Sequence, residues 1–109
     1  MSRFSDILTR LQATIASRAG ADAASSYTAK LLAGGPPLAA KKFGEEAVET
    51  ALASVLGDKD AIAAESADLI YHWLVLLAAT GVSLDAVAEK LEAREGTSGI
   101  AEKASRPKG

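Results

Sequence analysis

Two short pairs of carboxylates could bind a metal ion. Glu46 and Glu49 are three residues apart, and so are Glu65 and Asp68. Both stretches are predicted to be helical, which places the two members of each pair on one helical face. Like charges at that spacing repel by about 0.2–0.5 kcal/mol, and a cation between them would remove that cost. Oxygen ligands in a chain without cysteine favour a hard ion, Mg²⁺ or Mn²⁺.

Basic residues flank the acidic pairs in the sequence. Lys30 precedes them, and Lys41 and Lys42 come directly before the first pair. A metal ion together with lysines is a common way to bind polyphosphate. The nearby segment 34–37, Gly-Gly-Pro-Pro, is not a phosphate-binding P-loop because it lacks the Gly-Lys-Ser/Thr ending.

These patterns also have plainer interpretations. Glutamates on helix surfaces are common, and each lysine could be an ordinary solvated charge. Two carboxylate pairs next to a helix that must be buried are harder to explain as surface residues, since unpaired buried carboxylates are costly. His72 follows Asp68 by one helical turn, so it could reach the site or be a core histidine with one hydrogen bond.

The composition restricts the class of protein. The 109 residues are enough for one domain, and the absence of cysteine excludes disulfides, zinc–thiolate sites and a cysteine nucleophile. The net charge is −2 and no dense basic run is present, so we expect no nucleic-acid partner. The N-terminal residues do not resemble a signal peptide, and the longest apolar stretch, Leu69 to Ala79, is too short to span a bilayer. We therefore expect a cytoplasmic protein without a membrane partner.

Apolar periodicity predicts an all-α fold. The predicted helices cover about residues 4–18, 27–32, 38–56, 61–80 and 84–94. Ser25 and Ser26 are candidate N-caps for the second helix, and the Gly-Gly-Pro-Pro segment is expected to end it. We expect residues 1–94 to form the domain and residues 95–109, which lack an apolar period, to form a flexible tail.

The two long helices should form an antiparallel pair. Residues 57–60 are a tight connection between them, with the two acidic pairs at similar distances on either side. At about 1.5 Å per residue the pairs stand within roughly 3 Å of the same height. Val48, Leu52 and Val55 form the apolar stripe of the first long helix. The second long helix is apolar nearly all round over residues 69–77, which predicts burial in a homodimer.

Three segments of the chain together resemble a known family. They are Ser26-Tyr27-Thr28-Ala29-Lys30-Leu31-Leu32, Lys42-Phe43-Gly44-Glu45-Glu46-Ala47-Val48-Glu49 and Glu65-Ser66-Ala67-Asp68-Leu69-Ile70-Tyr71-His72. Their order and spacing are similar to those of the phosphoribosyl-ATP pyrophosphohydrolase family, over about residues 4–94. The acidic pattern alone is less specific, since it is shared by the wider all-α MazG-like nucleotide pyrophosphatases, including dimeric dUTPases.

The resemblance implies a four-to-five-helix MazG-like bundle completed by homodimerisation. It implies Mg²⁺-dependent hydrolysis of the α–β phosphoanhydride of phosphoribosyl-ATP, which gives phosphoribosyl-AMP and pyrophosphate in the second step of histidine biosynthesis. The metal ligands that it implies are Glu46, Glu49, Glu65 and Asp68. It further implies that Glu45 acts beside Glu46 and Glu49 in catalysis by supporting the site or orienting water. The implied substrate-binding residues are Lys30, Lys42, Ser26 and Tyr27.

Two other functions remain open from the sequence. One is a general nucleoside triphosphate pyrophosphatase that removes non-standard nucleotides, and the other is a helical dimerisation module with surface carboxylates. Release of pyrophosphate that depends on Mg²⁺ would exclude the dimerisation module. The preferred substrate would separate the two enzymes.

Overall fold

Six α-helices make up the regular structure of residues 2–96 and 99–107, the ranges that the computed structural model describes. The helices are α1 (Arg3–Ser17), α2 (Tyr27–Ala33), α3 (Gly35–Leu56), α4 (Lys59–Thr80), α5 (Leu84–Glu92) and α6 (Gly99–Ser105). The predicted all-α class is confirmed. Five of the helices lie within residues 1–94, and α6 lies in the segment 95–109 for which a flexible tail was predicted. The division into a domain and a tail stays a prediction, and residues 97–98 and 108–109 lie outside the described ranges.

The antiparallel pair α3 and α4 is the centre of the fold, and its connection is only two residues long. Gly57 ends α3 in the left-handed conformation, with φ +77°, which glycine adopts at little cost. Asp58 then caps α4, because its side chain accepts hydrogen bonds from the backbone N–H groups of Asp60 and Ala61. The short connection forces the two long helices side by side.

The start of α3 differs from the sequence prediction. The helix begins at Gly35 and includes Pro36 and Pro37 in its first turn, whereas the sequence predicted a start at Leu38. Proline is tolerated there because the first N–H groups of a helix have no intrahelical partner. Gly34 and Gly35 make the sharp reversal from α2, and a Cβ at Gly34 would collide with Leu38.

The core lies between α4 and the three helices that precede it. Its fully or nearly buried apolar side chains come from four helices: Ile15, Leu31, Ala39, Leu74, Val75 and Leu77. Leu74 and Val75 are at most 1% exposed within a single chain. One copy therefore covers much of the α4 surface that the sequence argument assigned to a dimer, and that argument does not by itself require a second copy.

The apolar stripe of α3 faces outward. Val48 and Leu52 are 60% and 59% exposed, and Val55 and the adjacent Leu56 exceed 80%. The opposite face of α3 supplies buried Ala39 and Ala53 to the interior. The residues of the predicted stripe thus share one face of α3, but that face is exposed and is not part of this chain's core.

By length and apolar composition, α4 is the one helix in the described ranges that could cross a membrane. The core helices of soluble proteins share these properties. Here α4 supplies buried His72, Leu74, Val75 and Leu77 to the core, and it also carries Glu65 and Asp68. One side of α4 is therefore part of this chain's core.

Candidate metal centre

Three carboxylates from the two long helices meet in the groove between them. Glu46 and Glu49 come from α3 and Glu65 comes from α4, and one carboxylate oxygen of each lies within 4.8 Å of the others. The two-residue connection sets the register that brings them to the same height. The expectation that the acidic pairs could face each other is met for these three residues.

A threonine hydroxyl connects α3 to α4 at the level of the carboxylates. Thr50 Oγ1 lies 2.8 Å from the backbone oxygen of Glu46, one turn earlier in α3. It also lies 3.1 Å from the backbone oxygen of Glu65 on α4. The hydroxyl has one proton to share between two carbonyl acceptors, so it ties together the backbones that carry two of the three carboxylates.

Two of the carboxylate oxygens are buried without a donor. Glu46 Oε2 and Glu65 Oε2 have no hydrogen-bond partner among the described residues. Burial raises the pKa of Glu46, and neighbouring Glu49 raises it further. Burial also raises the pKa of Glu65, again with a contribution from Glu49. A bound cation would compensate both the burial and the repulsion.

The other two predicted acidic residues lie at the edge of this cluster. Asp68 is exposed and outside the set of three, although its charge is close enough to raise the pKa values of Glu46 and Glu65. Glu45 forms an ion pair with Lys42, with 3.6 Å between Oε1 and Nζ. The assignment of Asp68 as a metal ligand and of Glu45 as a catalytic residue therefore stay predictions.

The predicted substrate-binding residues of α2 border an open cavity. The cavity has a volume of about 630 Å³ and is lined by residues 23–27 and Lys30. Ser26 is the N-cap of α2, since its hydroxyl accepts a hydrogen bond from the backbone N–H of Ala29. Ser26 thus has a structural task that the sequence predicted, beside the substrate contact that the resemblance implies.

Tyr27 links this cavity to the interior. Tyr27 is 51% exposed, while its hydroxyl lies 3.1 Å from Nε2 of buried His72. Burial of the hydroxyl end raises the pKa of Tyr27, and the positive charge of Lys42 opposes this effect. The next residue, Thr28, forms a hydrogen bond with the hydroxyl of Tyr71. Two consecutive residues of α2 are therefore anchored to two consecutive residues of α4.

Sequence reasoning missed Thr50 and Thr28. A threonine inside a helix usually bonds the carbonyl one turn earlier, and nothing in the sequence shows that Thr50 also reaches a second helix. The available signal was its position: Thr50 follows Glu49 directly and Glu46 by one turn. Thr28 lies inside the segment that carried the family resemblance, but its pairing with Tyr71 depends on how α2 packs.

The arrangement suits a hard divalent cation. The three carboxylates supply only oxygen atoms, and two of these are buried and lack donors. Lys42 lies one helical turn before Glu46 on α3 and pairs with Glu45, and Lys30 lies on α2. Such a site can neutralise and hold a chain of phosphates.

Comparison with known proteins agrees with this chemistry. Residues 8–95 match the family described as "Phosphoribosyl-ATP pyrophosphohydrolase". A protein of Caulobacter vibrioides named phosphoribosyl-ATP pyrophosphatase is 72% identical over 104 residues, which cover 95% of this chain and 96% of the relative. Proteins of the same name from Methylobacterium radiotolerans and Cereibacter sphaeroides are 62% and 59% identical. These matches cover 91% and 92% of this chain, and 92% and 97% of the relatives.

Proposed function

The chain belongs to the phosphoribosyl-ATP pyrophosphohydrolase family, and from this membership we propose that it hydrolyses phosphoribosyl-ATP to phosphoribosyl-AMP and pyrophosphate in histidine biosynthesis. The main structural support for this reaction is the cluster of Glu46, Glu49 and Glu65, in which two buried oxygens have no hydrogen-bond donor. Sequence relatives identify the substrate class, and the cluster accounts for how an anhydride can be cleaved without a protein nucleophile.

The cofactor in this proposal is Mg²⁺, with Mn²⁺ as a possible substitute. Glu46, Glu49 and Glu65 would hold it, and Asp68 would join them by a change of side-chain conformation. When bound, the ion neutralises charge on phosphate oxygens and makes water a better nucleophile. The oxygen-only donor set fits this ion better than it fits zinc or copper.

The protein's own groups would bind and orient the substrate. Lys30, which lines the cavity, and Lys42, which pairs with Glu45, would contact phosphate groups. Glu45 is an exposed carboxylate next to the cluster, so it can orient water or accept its proton once Lys42 engages phosphate instead. Ser26 and Tyr27 border the same cavity and would contact the nucleotide.

We propose that the working protein is a cytoplasmic homodimer. The support for a dimer is the outward apolar stripe of α3 together with the adjacent Leu56. All four residues are at least 59% exposed: Val48, Leu52, Val55 and Leu56. A contiguous exposed apolar face of this kind commonly marks an interface. A biosynthetic enzyme acting on a soluble nucleotide is expected in the cytoplasm.

A substrate panel tests the function. Purified protein with Mg²⁺ is given phosphoribosyl-ATP, ATP, dUTP or dCTP, and the products are identified by phosphorus NMR. We expect phosphoribosyl-AMP and pyrophosphate, with a specificity constant for phosphoribosyl-ATP far above those for the other three. Comparable specificity constants for ATP and phosphoribosyl-ATP would favour the general nucleotide pyrophosphatase instead.

Lys30 should contribute to this selectivity. Metal and carboxylates can hold any triphosphate, so the additional ribose phosphate needs its own donors. We expect Lys30→Ala to raise KM for phosphoribosyl-ATP by about tenfold, the effect of losing one charge-assisted hydrogen bond, and to change KM for ATP much less. Lys90→Ala on α5 is the matched control, since Lys90 is also an exposed helical lysine. Equal effects on both substrates would show that Lys30 does not recognise the phosphoribosyl group.

A further inference from the structure

His72 makes two hydrogen bonds that fix the state of its ring. Its Nδ1 lies 2.8 Å from the backbone oxygen of Asp68, and its Nε2 lies 3.1 Å from the hydroxyl of Tyr27. A carbonyl oxygen can only accept, so Nδ1 carries the proton. In the neutral ring Nε2 is then an acceptor, and the Tyr27 hydroxyl donates to it.

The same contacts fix the ring of Tyr27. It packs edge-on against His72, with ring centroids 5.9 Å apart, and it stacks at 6.4 Å on Tyr71. Tyr27 is also half exposed, and it lines the cavity together with Ser26 and Lys30. A ring held on two sides and at its hydroxyl presents one defined surface to that cavity.

The attachment of α2 to the core does not depend on this hydrogen bond alone. Thr28 bonds to Tyr71, and Ala29 and Leu31 of α2 are at most 3% exposed. Loss of the bond between Tyr27 and His72 would therefore leave α2 in place and remove only the contact that holds the Tyr27 hydroxyl. This separates an effect on substrate binding from an effect on folding.

We propose that His72 is a positioning residue: its Nδ1–H tautomer, fixed by the Asp68 carbonyl, presents Nε2 to the Tyr27 hydroxyl and so orients the Tyr27 ring for substrate binding. The proposal rests on the proposed function for the part that concerns substrate.

The ring state can be measured without any substrate. His72 is the single histidine of the chain, so its ring nitrogens are identified without ambiguity in ¹⁵N NMR spectra. In the neutral ring we expect a protonated Nδ1 and an unprotonated Nε2. Tyr27→Phe should shift the Nε2 resonance, while Thr28→Val, which removes the neighbouring anchor, should leave it nearly unchanged. An Nε2–H tautomer, or no response to Tyr27→Phe, would overturn the proposal even if the enzyme is fully active.

Kinetics then test whether His72 acts through Tyr27. His72→Asn retains a donor for the Asp68 carbonyl but loses the acceptor for Tyr27. We expect His72→Asn and Tyr27→Phe each to raise KM for phosphoribosyl-ATP about three- to tenfold with kcat changed less than about twofold, which corresponds to one hydrogen bond.

The double variant is the decisive case. If His72 works through the Tyr27 hydroxyl, the double variant should have the KM of the worse single variant, since the two changes remove the same interaction. His72→Gln, whose longer side chain can again offer an acceptor, should recover part of the loss. Multiplied effects in the double variant, or a loss confined to kcat, would contradict the proposal. Inactive wild-type protein would refute the proposed function, and the NMR result would still decide the state of His72.

Discussion

At the scale of single residues, the carboxylates of the acidic cluster are destabilised by burial and by mutual repulsion, and a bound cation would compensate both effects. Glu46 and Glu65 are drawn toward their neutral forms by burial, which raises the pKa of each above the usual 4.5. A buried carboxylate oxygen without a hydrogen-bond donor does not stabilise a fold, and both residues have one, which indicates a functional reason for their presence. Metal binding supplies one, because the bound ion favours the charged form that burial disfavours.

The pKa shifts predict how pH changes the effect of metal. A carboxyl whose pKa is raised by folding binds protons more tightly in the folded state, so its contribution to stability falls as pH rises from about 4.5 through the raised pKa. Mg²⁺ requires the deprotonated form and competes with protons. The increase in Tm caused by Mg²⁺, measured against excess chelator, should therefore become larger as pH rises from 5 toward 8. An increase in Tm that is constant over this range, or larger at low pH, would contradict the assignment.

At the scale of helices, the pairing of α3 with α4 could be predicted, but the use of each helix face could not. Periodicity and the connection predicted at residues 57–60 were enough for the antiparallel pair and for three of the four facing carboxylates, although α4 begins earlier than predicted, at Lys59. The start of α3 was wrong by three residues because proline in a first turn looks like a helix stop in sequence. The outward stripe at Val48 and Leu52 was also unpredictable, because an apolar stripe has the same spacing whether it faces a core or a partner.

Thr50 offers a test of how α3 and α4 hold the site. Thr50→Val keeps the side-chain shape but removes the hydroxyl that bonds the backbones of Glu46 and Glu65. We expect the free energy of unfolding to fall by about 1 kcal/mol. We also expect the affinity for Mg²⁺ to fall by about tenfold, which is the smallest loss typical when a residue that supports metal ligands is replaced. Titration calorimetry measures the affinity, and Thr50→Ser, which restores the hydroxyl, is the control. Unchanged affinity in Thr50→Val would show that the hydroxyl has no part in holding the ligands.

At the scale of the whole molecule, packing within one chain does not explain the exposed apolar face of α3. Four apolar residues of α3 are exposed, while the chain itself covers much of the apolar α4 surface that first suggested a dimer. A charge introduced at buried Leu74 would consequently unfold the protein instead of separating subunits. The test of assembly belongs on α3.

Leu52→Glu should convert a dimer to a monomer. Leu52 lies in the middle of the α3 stripe and is 59% exposed in one chain, so a glutamate there costs little in the monomer but would be buried in the proposed interface. Light scattering at micromolar concentration gives the mass. Leu91→Glu on α5 is a matched control because Leu91 is 58% exposed and outside the stripe. A monomeric wild type would refute the dimer, and dissociation by both variants would place the interface elsewhere.

The central claim is that Glu46, Glu49 and Glu65 hold the Mg²⁺ ion on which hydrolysis depends. Its most direct test is pyrophosphate release from phosphoribosyl-ATP over a Mg²⁺ titration, for wild type, Glu49→Gln and the exposed α5 control Glu89→Gln. With excess chelator we predict no release of pyrophosphate. At limiting Mg²⁺ we predict that Glu49→Gln lowers kcat/KM by about 100-fold or more, a larger loss than is typical when a residue that only supports a metal ligand is replaced. The metal-free Tm of Glu49→Gln should hold or rise, because repulsion is relieved, and Glu89→Gln should behave as wild type. Near-normal turnover by Glu49→Gln at limiting Mg²⁺, or full activity with the metal removed, would contradict the account.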